Sequence, residues 1–338
     1  MFLTSLGASC PGLMKRRTFI TLLGGAAVAW PLTAQAEKQT YRLGISIPSD
    51  RGMPAVVAFF DELRLAGFIE GENLLVIPGG FGVRNEQIAE LTQAIVQAAP
   101  DAIVCGPELQ IRALQAATRT IPLIGMAEDL VGLGLANSLA HPGGNTTGVS
   151  LLSPEVDEKR QDILIDAVPQ ARRMAMLVDS NTARPRHLEA MQAAGRRRGV
   201  ELSTFGVSKP EEIAPAINAA KASGAEAINF LATPLFSVPG SPNNRIVLEA
   251  VLAARMPAIY QWPETAEDGG LAAYGPRFTQ VYRQRARQVI KVLRGAKVAN
   301  LPIEQPTSFE LVINLQAAKA IGHEVPAGLV LRADHVVE

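Results

Sequence analysis

Catalysis at a protein site begins with nucleophiles, acid–base pairs or metal ligands. This chain of 338 residues is sparing with all three. Its two cysteines are Cys10 and Cys105, and its four histidines are His141, His187, His323 and His335. Cys105 opens the run Cys105-Gly106-Pro107-Glu108, where a thiol beside a carboxylate invites reading as a nucleophile. No histidine lies near it in sequence, and a neighbouring carboxylate raises a thiol pKa instead of lowering it. Cys105 is therefore expected to be buried or to form a pocket wall. The histidines show no metal-ligand spacing, and neither a Walker loop nor a dinucleotide glycine motif follows a predicted strand. The expectation is a protein without catalytic residues, metal or cofactor. Binding chemistry is better represented. Aromatic residues make up only 5% of the chain, yet Tyr260, Trp262 and Tyr274 fall at the ends of predicted short strands. Rings so placed stack on a flat ligand while a Tyr O–H or Trp N–H fixes its orientation; the alternative is core or hinge packing.

The elements that must position these residues follow an alternating pattern. Strands are predicted at 41–47, 74–77, 102–105 and 123–126, with helices at 53–65, 85–97 and 109–118 between them. A second series follows. Its helices are at 155–167, 186–198, 211–223 and 244–254, and its strands at 174–178, 201–205, 227–231, 258–260 and 271–274. A long helix at 278–294, a strand at 309–314, a helix at 315–321 and a tail complete the chain. Repeated βα alternation argues for parallel sheets covered by helices on both faces. The run 141–148, rich in turn formers, is the expected junction between two α/β lobes. A cleft between such lobes is where a small ligand binds.

The N-terminus has its own logic. Lys15-Arg16-Arg17 precedes an apolar stretch from Phe19 to Trp30, and Ala34-Gln35-Ala36 supplies a small-x-small cleavage pattern. This is the layout of a secretory signal, and Arg16-Arg17-Thr18-Phe19-Ile20 resembles a twin-arginine export signal. A membrane anchor is the alternative, but the apolar run is shorter than the roughly 20 residues that span a bilayer. Met14 offers a second candidate start. The whole chain balances 32 basic against 32 acidic residues; removal of the leader leaves 29 against 32, a net charge of −3. Such a balance offers no footprint for nucleic acid or anionic lipid. Cys10 leaves with the leader, so the mature chain can form no internal disulfide.

Several segments resemble one family. They include the leader Lys15 to Gly25, Ala116-Ala117-Thr118-Arg119-Thr120-Ile121-Pro122, and Ser138 through the His141-Pro142-Gly143-Gly144-Asn145-Thr146-Thr147-Gly148 run. Ala273-Tyr274-Gly275-Pro276, Gln305-Pro306-Thr307-Ser308-Phe309-Glu310-Leu311-Val312-Ile313-Asn314 and the tail Leu331 to Glu338 complete the set. Together they resemble ABC-transporter substrate-binding proteins with a type I periplasmic-binding fold, the group that includes tryptophan- and aromatic-solute-binding proteins. The resemblance implies two doubly wound parallel-sheet lobes joined by a multi-strand hinge that closes over a ligand. It divides the chain into an export signal at 1–36, lobe 1 at 37–148, lobe 2 at 149–273 and a crossover segment at 274–338 that serves both lobes. It implies a periplasmic monomer that partners an ABC permease of the inner membrane. Its ligand would be a small aromatic or carboxylate-bearing molecule.

The loops after the strands then become the expected ligand contacts. Ser49 and Asp50 follow the first strand at a helix N-terminus that favours an anion, or else simply cap that helix. Gly106 and Glu108 follow the third strand. Relatives usually carry a Gly-Thr/Ser-Pro turn here; this chain lacks the hydroxyl and brings a charge. Asp129 matches an acidic position common in the family and suits an amine, a ligand hydroxyl or a helix cap. Asp179, Thr233, Tyr260, Trp262 and Tyr274 are expected from the second lobe. A ligand-sensing subunit for a membrane receptor needs the same clamshell. An exported α/β enzyme such as a two-base racemase shares the layout, but its usual cysteine pair is missing from the mature chain. A lobed repressor is excluded by a leader standing where a DNA-binding domain would be.

Overall fold

A strand covered by helices on both faces must be apolar throughout, and Ala102–Cys105 is buried at all four positions. The computed structural model, which describes residues 39–338, sets it in the middle of a five-stranded parallel sheet. This first lobe runs β1 (Tyr41–Ser46), α1 (Pro54–Leu65), β2 (Leu74–Val76), α2 (Ile88–Gln97), β3 (Ala102–Cys105), α3 (Glu108–Ala117), β4 (Leu123–Ala127) and β5 (Thr146–Ser150). The sheet order is β2-β1-β3-β4-β5.

The second lobe begins with α4 (Ser153–Ala167), β6 (Arg173–Asp179), α5 (Pro185–Arg197), β7 (Glu201–Val207), α6 (Ile213–Ala222) and β8 (Ile228–Phe230). It continues with α7 (Pro234–Ser237), α8 (Pro242–Ala254), β9 (Ala258–Tyr260), α9 (Pro263–Glu267) and β10 (Ala272–Gly275). The chain ends in α10 (Phe278–Leu293), β11 (Glu310–Asn314), α11 (Leu315–Ile321), α12 (Ala327–Val330) and β12 (His335–Val337). The seven strands are ordered β12-β11-β10-β9-β8-β6-β7, parallel except where β10 meets β11.

The path of α10 ties the lobes together. Its buried residues Phe278, Val281, Tyr282, Arg285, Ala286 and Val289 recur at helical spacing. That face packs on α1 and reaches β3, β4 and β5, so a helix that leaves a second-lobe strand completes the first-lobe core. The chain then returns past β5, where Ser150 N–H donates to the Glu304 carbonyl (2.9 Å) and Glu304 N–H to that of Gly148 (2.9 Å), before entering β11. It therefore passes between the lobes after β5, between β10 and α10, and before β11.

Two expectations change. The turn-rich run 141–148 does not end the first lobe, because its last residues open β5, which extends past 148 to Ser150. Gly148 sits there at φ +138°, and a Cβ would lie 1.9 Å from the Gly125 carbonyl oxygen, so the close approach of β4 demands glycine. The tail is also not featureless: β12 adds a parallel edge strand beside β11. The predicted leader and Cys10 lie outside the described residues.

Candidate functional site

The carboxyl ends of β1, β3, β4, β8 and β9 point toward a hollow between the lobes, the position where open α/β sheets bind ligands. Its empty volume is ≈ 470 Å³, counting space open to solvent. The first lobe contributes Ser49 after β1, Gly106 and Pro107 after β3, and Met126 to Glu128 around the end of β4. The second lobe contributes Thr233 and Pro234 after β8 and Gln261 and Trp262 after β9. Helix α10 forms the remaining wall with Phe278, Tyr282 and Arg285.

Three rings run along one side. The Trp262 and Phe278 centroids are 4.6 Å apart at 55°, and those of Phe278 and Tyr282 4.9 Å apart at 65°. Such tilted pairs add about 0.5–1.5 kcal/mol beyond area burial. Trp262 follows a second-lobe strand yet packs within the first-lobe core cluster, so it is an interlobe contact as well as a wall. At the far end of the ladder the Tyr282 and Ser49 hydroxyls share a hydrogen bond of 2.9 Å. Burial raises the Tyr282 phenol, and the neighbouring Arg285 charge pulls it partly back.

Arg285 is fully buried. Its Nη2 donates to the carbonyls of Cys105 and Ile124, the latter at 3.1 Å, and its Nε to Ile124 at 3.4 Å. Desolvation pulls its pKa down. Glu128 separates this cleft from a second hollow of ≈ 540 Å³ empty volume, again counting open space, lined by Asp157, Asp179, Arg184 and His187 among others. Burial pushes the Glu128 carboxyl up to about 7, and the charges of Glu108 and Asp157 add to that, against the pull of Arg184. Asp157 is held by the buried Arg160 and by His187 Nε2 at 3.0 Å.

The structure brings Ser49, Gly106, Thr233 and Trp262 together in the cleft wall. Asp179 lines the adjoining hollow and reaches the cleft through Thr233, whose hydroxyl donates to its Oδ2 at 3.0 Å. The other expected contacts stand apart from both walls. Asp50 is exposed, and its carbonyl accepts from Met53 N–H at the start of α1. Glu108 is turned to Arg112 (2.7 Å) and Arg184 (3.7 Å). Asp129 caps its own turn, accepting from Val131 and Gly132 N–H at 3.2 and 2.9 Å. Tyr260 is core, stacked on Phe230 at 5.2 Å and 10°. Tyr274 stacks on Phe309 at 6.1 Å, while its carbonyl accepts from Arg160.

Glu128 and Gln261 fall in the strand-end segments 126–129 and 260–262 that the sequence points toward the cleft, whereas local pattern singles out none of Phe278, Tyr282 and Arg285. One signal was present for the last: a charged residue falls within the apolar stripe of the helix predicted at 278–294.

Comparison with known proteins bears on the family and the fold. The family described as ABC transporter substrate binding protein matches residues 54–337. A tyrosine-binding protein of Clostridioides difficile strain R20291 is 23% identical over 266 residues, covering 78% of this chain and 75% of the relative. Among solved structures, an ABC domain in complex with L-Trp from Streptococcus pneumonia superposes with a TM-score of 0.75 at 21% identity, covering 88% of this chain and 100% of that one. An ABC transporter solute binding protein from Agrobacterium vitis with bound allitol gives 0.58 at 14% identity, covering 83% and 98%. These likenesses fix the architecture as the two-lobed type I periplasmic-binding fold.

Proposed function

We propose, from the premise that this chain belongs to the ABC transporter substrate binding protein family, that it is an exported receptor for a small aromatic solute, which it carries to an import permease in the inner membrane. The observation that carries the reading is the cleft itself, closed on one side by the Trp262–Phe278–Tyr282 ladder and lined from both lobes. A planar ring slots against such a wall, and the interlobe position lets closure bury it. The ligands named for two relatives, tyrosine and L-Trp, have that shape.

A binding role is also favoured over catalysis by the state of the one mature thiol. Cys105 is fully buried, and desolvation pushes its pKa up to about 12, so at neutral pH it is a protonated, inert group. For delivery, the Arg16-Arg17 leader directs the chain to the periplasm and is cleaved after Ala36. Among the described residues no helix is long and apolar enough to cross a membrane. The receptor works as a monomer.

A thermal-shift screen of aromatic amino acids, aromatic acids, short carboxylates, sugars and nucleosides tests this. An aromatic ligand at one hundred times its dissociation constant stabilises the protein by about 2.7 kcal/mol. A saturable shift with sugars or nucleosides but not with aromatic compounds would refute the assignment.

A further inference from the structure

The charge that this chain places at Glu108 has no role in the cleft wall. Glu108 is the first residue of α3 and lines neither hollow. Its carboxylate reaches instead to the second lobe, where Arg184 Nη2 lies 3.7 Å from Oε2. Among the described residues this is the one ion pair that joins the two lobes; the others close within a single lobe.

Both partners are held ready for the contact. Arg112, one turn further along α3, donates its Nε to Glu108 Oε1 at 2.7 Å and its Nη2 to the Leu133 carbonyl at 2.6 Å, which leaves Oε2 to face the second lobe. Arg184 immediately precedes Pro185, the first residue of α5, and has the extended backbone that a following proline favours. It also lines the hollow beside Glu128, and its charge pulls on that carboxyl too, so one second-lobe cation faces two first-lobe acids.

Placement in the sheets gives the pair leverage. β3, which leads to Glu108, is two strands from β5, and β6, which leads to α5, is three strands from β10. The chain crosses between the lobes at the ends of β5 and β10. At roughly 4.8 Å per strand the pair stands about 10–14 Å out from those crossings. Rotation that opens the cleft therefore parts Glu108 from Arg184, whereas contacts beside the crossings move least. The side chains are 19% and 39% exposed, and pairs so placed shift an equilibrium by up to about fivefold. A factor of that size matters in a clamshell, because apparent affinity scales with the fraction of protein in the competent, closed form.

We propose that Glu108 and Arg184 are positioning residues that latch the lobes together and set solute affinity without touching the solute. The inference rests on the two-lobed fold and holds whatever the solute is.

Two readouts decide it. Spin labels on Glu86→Cys and Glu211→Cys, exposed positions on the first and second lobes, report the interlobe distance of the mature, solute-free protein; Cys105 is buried and takes no label. Glu108→Gln and Arg184→Gln should each lower the closed-to-open ratio about three- to fivefold, the double variant no further than either single one, and Arg184→Lys should keep the wild-type distribution. Calorimetric titration with L-phenylalanine should show the same pattern in the dissociation constant, with the midpoint of urea unfolding unchanged. Distance distributions identical in all five proteins overturn the latch. So do effects of the two single variants that multiply in the double one, or a loss of stability without a change in closure. If L-phenylalanine does not bind the wild type, the aromatic assignment fails, and the label distances still decide the latch.

Discussion

Glu128 offers a pH signature that follows from its position alone. The carboxyl, ordinarily near 4.5, is pushed up to about 7, chiefly because burial disfavours its charge. In the unfolded chain it regains the ordinary value. Between those limits the folded protein holds a proton that the unfolded chain has released, so stability falls as pH rises from about 4.5 to about 7 and is level above. At about 1.4 kcal/mol per pH unit the fall is at most about 3.5 kcal/mol, and less in practice because the group keeps some contact with solvent in the cleft. Glu128→Gln replaces the carboxyl with an uncharged amide of the same shape and removes this contribution. Urea denaturation of both proteins at pH 5, 6, 7 and 8 isolates it, since every other titrating group is common to the pair. The variant should gain on the wild type steadily up to pH 7 and hold that gain at pH 8. Parallel stability profiles would refute the reasoning, since they require a carboxyl that ionises normally in the folded state.

Other expectations are simpler. Trp262→Ala removes a ring that serves both as cleft wall and as interlobe contact; solute affinity should fall at least about tenfold, and stability by no more than the 3–5 kcal/mol typical of large core truncations, as read by titration and denaturation. Tyr274→Phe keeps the ring on Phe309 and lies away from the cleft, so affinity should be unchanged within error. Asp157→Asn leaves the buried Arg160 without its counter-charge and should cost about 3–5 kcal/mol in unfolding free energy. Cys105 should resist iodoacetamide in the native protein and react once urea unfolds it; labelling at native rates would contradict its burial.

What the sequence made legible was the alternation. Most strands and helices of both lobes are where periodicity places them, because buried parallel strands and amphipathic helices each write a distinct pattern. β5 escaped because Asn145-Thr146-Thr147-Gly148 is turn chemistry by composition; only the contact with Gly125 explains why a glycine belongs in that strand. The site was legible where loops follow strands, as at Ser49, Gly106, Thr233 and Trp262. It was hidden where a side chain's direction decides. Tyr260 and Trp262 are two residues apart, but the first turns into the second-lobe core and the second turns to the cleft. The α10 wall was hidden for another reason. It comes from a helix that follows a second-lobe strand but packs in the first lobe, a crossing that local pattern does not encode.

The most direct test of ligand capture between the lobes uses the wall itself. The chain has two tryptophans, Trp30 and Trp262. Cleavage after Ala36 removes Trp30, so in the mature protein the emission excited at about 295 nm, a wavelength that largely spares tyrosine, reports Trp262 alone. Titration with L-phenylalanine, which does not absorb there, should shift that emission saturably, with the same dissociation constant that calorimetry gives. A ligand that binds by calorimetry yet leaves Trp262 emission unmoved would place the solute elsewhere and contradict the account.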